Sequence, residues 1–321
     1  MDVTNDNVRR THKKKHKKMG CAIKLAILLG LVLLGFGAYA WSIWNSVEST
    51  VDKMHVPRPK TQIQMREQQI DLKNEEPFSV LLLGIDTGEF GRVDQGRSDI
   101  IVVATVNPKN NKMTLTSIPR DTYTEIVGKG TQDKINHAYS FGGSAMSANS
   151  IQELLDIPID YTVSADMAGF AEIVDAIGGI TITPDQSFEM SDYQFQAGVE
   201  TKMNGEMAVA YTRNRYDTGG DYSRQNRARE LVMGVVKSAA SLNGVMNYQE
   251  ALESLSNHVK TDMTYDEIMT FVDKYRDVVN NVDQYQLEGS GQKIDGVYYE
   301  IISDASLNQV KAALQAELEI N

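Results

Sequence analysis

Phe78-Ser-Val-Leu-Leu-Leu-Gly84, Ile100-Ile-Val-Val-Ala-Thr-Val106 and Met113-Thr-Leu-Thr-Ser-Ile118 follow one another closely in the chain. Each is an apolar run of buried-strand length, and the second is rich in the β-branched residues that pack well on a pleated surface. Asn107-Pro-Lys-Asn-Asn-Lys112 joins the last two with turn-forming residues, which predicts a hairpin. If the three runs form an up-down-up meander, Asp86 follows the first strand, Asp99 begins the second and Arg120-Asp121 follows the third. All three places then fall on one edge of a sheet.

Further strand signals, near 159–163, 180–183, 284–287 and 298–302, alternate with helical stretches over 144–155, 166–177, 203–211, 223–242, 264–280 and 304–318. Strands interleaved with helices predict an α/β fold, a three-layer α/β/α sandwich with a mixed central sheet. The chain of 321 residues has one Cys, seven Pro and 24 Gly, which excludes collagen-like and disulfide-stapled classes. Its net charge of −11 is unevenly spread. Residues 1–24 carry eight basic residues against Asp2 and Asp6, a net of +6; the remainder carries 24 basic against 41 acidic residues, a net of −17.

Between the two lies Leu25 to Val47, with no acidic or basic side chain and both tryptophans, Trp41 and Trp44, at its far end. About 20 apolar residues suffice for a helix to cross a bilayer, so the fold is expected to be preceded by one transmembrane helix. The basic block before it places the N-terminus in the cytoplasm and the rest outside the cell. Four parts follow: a basic tail (1–24), an uncleaved signal anchor (25–47), a linker or stalk (48–76) and an extracellular domain (77–321). The run is longer than a cleaved signal peptide's apolar region, and Cys21 precedes it, where a lipid-modified cysteine would follow.

On the predicted sheet edge, Asp86 and Asp99 can hold a divalent cation through oxygen, and Arg97 and Arg120 can bind an anion that the cation also touches. Of nine arginines after Pro77, five lie within 17 residues: Arg213, Arg215, Arg224, Arg227 and Arg229. Planar, permanently charged guanidinium forks suit a pyrophosphate. Asp221-x-x-Arg224-x-x-Arg227 opens a helix, placing Arg224 and Arg227 on one face with backbone N–H donors for the same anion. Beyond the linker only His137 and His258 occur, so oxygen-ligated Mg²⁺ or Mn²⁺ is a better expectation than zinc. Met167, Phe170, Ile173, Val174 and Ile177 have core spacing, and some of them, with Leu231, Val232, Val235 and Val236, could instead line a slot for a lipid tail.

Gly96-Arg-Ser-Asp99, Ser117-Ile-Pro-Arg-Asp121, Asp133-Lys-Ile-Asn-His-Ala138, Gly169-Phe-Ala-Glu-Ile-Val-Asp-Ala-Ile-Gly-Gly179, Asn204-Gly-Glu206 and the arginine block 213–227 together resemble the LytR-CpsA-Psr family of Gram-positive cell envelopes. The resemblance implies a transferase that moves a glycopolymer, of teichoic acid or capsule type, from an undecaprenyl-pyrophosphate carrier onto peptidoglycan through a phosphodiester. It implies Asp86 and Asp99 as Mg²⁺ ligands and Arg97, Arg120, Arg213, Arg215 and Arg224 as pyrophosphate binders, with Arg227 beside them. Lys134 and Asp221 match polar positions near the head group, and Asp99, Arg120 and Asp221 are the expected catalytic residues. Ala228 stands where the family usually has Gln. Residues 244–321 match no motif. Partners are then the lipid-linked glycopolymer, peptidoglycan and the membrane, with no nucleic acid. The rival readings are a membrane-bound transcriptional regulator, a polyprenyl-pyrophosphate hydrolase and an envelope-polymer binding protein.

Overall fold

A computed structural model describes residues 52–59, 61–87, 96–214, 220–240 and 258–320. The tail, the anchor expected at 25–47, Cys21 and Arg215 lie outside the described residues, as does the side chain of Asp221. Among the described residues no helix is long and apolar enough to cross a membrane.

The three opening runs form β1 (Phe78–Asp86), β2 (Arg97–Asn107) and β3 (Lys112–Ser117), an antiparallel meander as expected. Strands β6 (Tyr161–Asp166), β11 (Val259–Thr261) and β12 (Val282–Gln286) complete a six-stranded sheet of order β11-β6-β1-β2-β3-β12. β6 joins β1, and β12 joins β3, in parallel, so the sheet is mixed. Outside it, short hairpins pair β4 (Tyr123–Ile126) with β5 (Thr131–Lys134), β8 (Phe188–Met190) with β9 (Tyr193–Phe195), and β13 (Gly289–Ile294) with β14 (Val297–Ile302). β7 (Ile180–Ile182) pairs with β10 (Thr201–Met203).

Alternation along the strands sorts the core. Leu81, Leu83, Ile101 and Val103 point to one face, where α1 (His137–Leu155) and α6 (Asp304–Glu317) cover them with Ile151, Leu155, Val310 and Leu314. Val80, Val102, Ala104 and Leu115 point to the other, against Met233 of α4 (Gly220–Ala240) and Phe271 of α5 (Tyr265–Lys274). A third cluster joins α2 (Met167–Ala176) and α3 (Gly205–Arg213) to Leu231 of α4 and the small hairpins, through Val174, Ala208 and Tyr211.

The structure alters some predicted elements for identifiable reasons. The helix expected over 264–280 ends at Tyr275, whose hydroxyl donates to the carbonyls of Leu72 and Glu76, and a short 3₁₀ turn, Arg276–Asn280, follows. α1 begins earlier than 144 but is broken at Gly142 and Gly143, the latter at φ 63°, so the regular part is the one expected. The 48–76 segment is bonded to the domain from His55 onward. Val56 N donates to Thr261 O, Arg58 pairs with Asp262, Asn149 and Gln152 bond the backbone at Thr61 and Ile63, and Arg66 pairs with Asp160.

At the sheet's β11 edge, Asp166 caps α2 by accepting from Gly169 N at 2.8 Å, and its other oxygen bonds His258 Nδ1 at 2.8 Å. That bond raises the His258 pKa above the usual value, reinforced by Glu172 and opposed by burial and Lys260. A group raised on folding contributes stability that is complete below the unfolded pKa, about 6.5, and is lost as pH rises through the folded value. Urea midpoints should therefore fall as pH is raised from about 6.5 through the folded pKa, and His258→Gln should remove this component; an unchanged slope would show that the pair is not linked to folding.

Candidate active site

Three sheet-edge segments converge. Asp86 ends β1 directly opposite Arg97, the first residue of β2. Position 96 tolerates only glycine there: a Cβ would stand 2.2 Å from the Asp86 carbonyl oxygen. Ser117-Ile-Pro-Arg-Asp121 leaves β3 through Ile118, which is buried and donates its N–H to Ile101 O. The Pro119 carbonyl then accepts from both Thr122 N, at 3.0 Å, and Thr122 Oγ1, at 2.6 Å. This closes a turn whose two central residues are Arg120 and Asp121.

The resulting charges alternate. Asp99 Oδ2 accepts from Arg120 at 2.8 Å and lies 4.0 Å from an Arg224 nitrogen. Arg120 Nε is 3.8 Å from Asp121, and Asp121 Oδ1 is 2.8 Å from Lys134 Nζ. Lys134 reaches this row because β5 pairs it with Tyr123 of β4. Asp86, Asp99, Arg213 and Arg224, with Ile100, Met167 and Thr212, line one small pocket of ≈ 60 Å³. Arg213 arrives as the last residue of α3, whose start is fixed by the Asn204 cap and by Gly205, where a Cβ would stand 2.1 Å from Ala171 O.

The structure therefore brings together Asp86, Asp99, Arg120, Arg213 and Arg224, with Lys134 one residue further out. Arg97 is exposed beside Asp86 and is not among the residues lining the pocket. Arg227 takes a different place from Arg224. It is 1 % exposed, donates to Asn214 O at 2.7 Å and Ser223 Oγ at 2.8 Å, and lies over the Phe188 ring at 5.3 Å. It ties the end of α3 to the start of α4, and so fixes Arg213 relative to Arg224. Arg229 anchors α4 to the sheet through Gln284, Ser117 and the Tyr285 carbonyl, and burial lowers its pKa.

An apolar cavity of ≈ 220 Å³ adjoins the charged pocket and shares Ile100, Met167 and Thr212 with it. Phe170, Ile173, Leu231, Val232, Val235 and Val236 line it, the side chains that could have formed either core or slot; Val174 belongs to the third core cluster instead. Ala228 lines this cavity and also the cleft beneath Asp99 and Arg224, which it shares with Gln225. A larger cavity of ≈ 460 Å³ lies between segment 55–73 and α5 and shares no residue with the carboxylate pocket.

The C-terminal region, which carries no motif, reaches the site. Glu300 of β14 is buried, and its backbone N–H donates to Asp121 O at 2.9 Å. Its carboxylate accepts from Tyr222 of α4 and from Tyr298, both at 2.7 Å. Burial and the bond to Glu300 push the Tyr222 pKa up to about 12, so it stays a donor. The only sequence signal was a Glu inside the otherwise apolar run Val297-Tyr-Tyr-Glu-Ile-Ile302.

The donor set suits a hard cation. Asp86 and Asp99 offer carboxylate oxygens in one pocket, and no group of three or more His, Cys, Asp or Glu able to hold a metal occurs among the described residues. Mg²⁺ is commonly held by one or two carboxylates and completed by substrate phosphates, which matches two acids beside arginines.

Residues 41–316 match the LytR_cpsA_psr family. The polyisoprenyl-teichoic acid–peptidoglycan teichoic acid transferase TagU of Enterococcus faecalis is 43% identical over 92% of this chain and 95% of that one. Among solved structures, a transcriptional regulator from Enterococcus faecalis superposes with TM-score 0.70 at 39% identity, covering 79% of this chain and 92% of that one. TagT bound to LIIa-WTA superposes with TM-score 0.69 at 29% identity, covering 83% of this chain and all of that one, 100%.

Proposed function

The chain belongs to the LytR-CpsA-Psr family, and from that premise we propose that it transfers an anionic glycopolymer, of wall teichoic acid or capsular type, from an undecaprenyl-pyrophosphate carrier to peptidoglycan. The observation that carries this reading is the charged pocket sharing walls with an apolar cavity. A prenyl pyrophosphate has the same two chemistries in the same order. In the reaction a peptidoglycan hydroxyl oxygen bonds to the sugar-proximal phosphorus, the bond from that phosphorus to the bridging pyrophosphate oxygen breaks, and undecaprenyl phosphate leaves.

Arg120, Arg213 and Arg224 orient the pyrophosphate and offset the charge that grows on the departing phosphate. Asp99 holds Arg120 and Arg224 in place. Asp86 and Asp99 would hold Mg²⁺ or Mn²⁺, which when bound neutralises phosphate oxygens. Asp99 and Asp121 are the carboxylates of the row that can take the hydroxyl proton. Residues 25–47 would anchor the enzyme in the cell membrane of a Gram-positive bacterium, with the N-terminus cytoplasmic and the catalytic domain outside. A regulator acting on nucleic acid fits poorly: the part after residue 24 carries −17, and its arginines converge on carboxylates inside a pocket.

The test is product identity. Purified protein given a labelled polyprenyl-pyrophosphate glycolipid and peptidoglycan oligomers should yield label joined to the oligomer through a phosphodiester. Release of phosphorylated polymer with water as the acceptor would make it a hydrolase, and retention of intact glycolipid would make it a binding protein.

A further inference from the structure

We propose that the cavity of ≈ 460 Å³ between segment 55–73 and α5 binds an uncharged saccharide, a stretch of peptidoglycan strand away from the reacting sugar. The identity of the strand rests on the transfer reading above; the binding of a saccharide does not. A volume of this size lies within the range of pockets that enclose small ligands. It stands at the far end of the sheet from the carboxylates. Tyr161, the first residue of β6, lines it and pairs with Val80 of β1, whereas Asp86, the last residue of β1, lines the charged pocket. Strands rise about 3.3 Å per residue, so the two levels of β1 lie roughly 20 Å apart. A polymer can touch both places at once, and a single sugar cannot.

The walls are held in place by the chain itself. On one side Val56 N donates to Thr261 O, and His55 Nδ1 donates to Met263 O at 3.1 Å. On the other, Lys274 Nζ donates to Lys73 O at 2.7 Å, and the Tyr275 hydroxyl bonds Leu72 O at 3.1 Å. A preformed site spares a ligand the cost of ordering it. Most charges of the lining are already paired. Arg58 bonds Asp262 at 3.3 Å, Glu267 accepts from Tyr161 at 2.8 Å and from Thr264, and Asp71 accepts from Lys73 N at 2.9 Å. Gln64 and Gln69 differ, because their carboxamides make no hydrogen bond to another described residue. Each offers two donors and an acceptor without charge, which suits the hydroxyl and acetamido groups of a sugar. Pro57 and Ile70 supply apolar contact for its C–H faces. An anionic polymer would instead meet four carboxylates, Asp71, Asp262, Asp266 and Glu267, and Arg58 among the facing cations is held by one of them.

The experiment measures binding to the full-length protein in detergent micelles, with melting temperatures recorded. An N-acetylglucosamine tetrasaccharide should bind and slow hydrogen exchange over 64–73 and 264–270, and peptidoglycan oligomers should displace it. The double variant Gln64→Ala/Gln69→Ala should weaken the tetrasaccharide about tenfold, the scale of two lost hydrogen bonds. Unchanged affinity in a double variant that melts like wild type overturns the proposal. So does a wild type that binds no tetrasaccharide, or one whose protection falls only around Asp86 and Arg120. Displacement by a glycerol-phosphate polymer but not by peptidoglycan oligomers would overturn it too, by assigning the cavity to an anionic chain. If the double variant melts early, Gln69→Ala alone takes its place under the same criteria. None of these readouts needs turnover, so a protein that binds the saccharide as described and transfers nothing would fail the transfer reading alone.

Discussion

Asp99→Asn is expected to lower polymer transfer by about 10²–10³-fold, the scale seen when one preorganised electrostatic group is removed from an active site. Asn keeps the shape of Asp and loses the charge that holds Arg120 at 2.8 Å and faces Arg224 at 4.0 Å. Both arginines then lose this shared carboxylate, and a cation held between Asp86 and Asp99 would lose one of its two protein ligands. The fold should survive, because the pair is partly open to solvent, with side-chain exposures of 27% and 15%, and such pairs contribute little to stability. Arg120→Ala should be comparably damaging, since its guanidinium bonds Asp99 and lies 3.8 Å from Asp121. Transfer of labelled polymer measured beside a thermal melt decides the matter. Near-normal transfer by a well-folded Asp99→Asn protein would remove this carboxylate from the mechanism.

The second large effect belongs to the apolar cavity. Val235→Trp should fill much of its ≈ 220 Å³. Burial contributes about 0.8 kcal/mol per methylene, so displacing even two should weaken a long-chain donor more than tenfold. A short-chain prenyl donor that never reached the cavity should be used as before. Overpacking can itself cost about 1–3 kcal/mol, so the melt must be recorded too. Equal loss for long and short donors in a folded protein would mean that the cavity does not receive the prenyl chain.

What could be read from sequence divides by range. The β1–β2–β3 meander is encoded locally, by two apolar faces that alternate along each strand and by a loop of turn formers. Asp86, Asp99 and Arg120 were legible for the same reason, because a meander brings strand ends together without further information. The parallel joins of β6 to β1 and of β12 to β3 were not, since neither has a local signal. Nor was the division of labour between Arg224 and Arg227. Three residues apart on a helix they look equivalent, but an acceptor 13 positions away, the Asn214 carbonyl, claims one of them. Glu300 shows the limit most clearly: its part in the site is a backbone bond to Asp121 and two tyrosine hydroxyls, and none of these leaves a motif.

Glu300 also sets how far the working unit extends. Its one carboxylate is shared by the first turns of α4, through Tyr222, and by its own hairpin, through Tyr298, while its N–H holds the turn that presents Arg120. Gly289 N donates to the Tyr222 hydroxyl from the other strand, closing the circuit. These bonds couple the arginine helix to the motif-free hairpin, so hydrogen exchange at the two should rise together when either is loosened. A truncation drawn at the end of the recognisable motifs would keep every arginine and carboxylate of the pocket but lose the Glu300 bonds that tie Tyr222 and the Arg120 turn together.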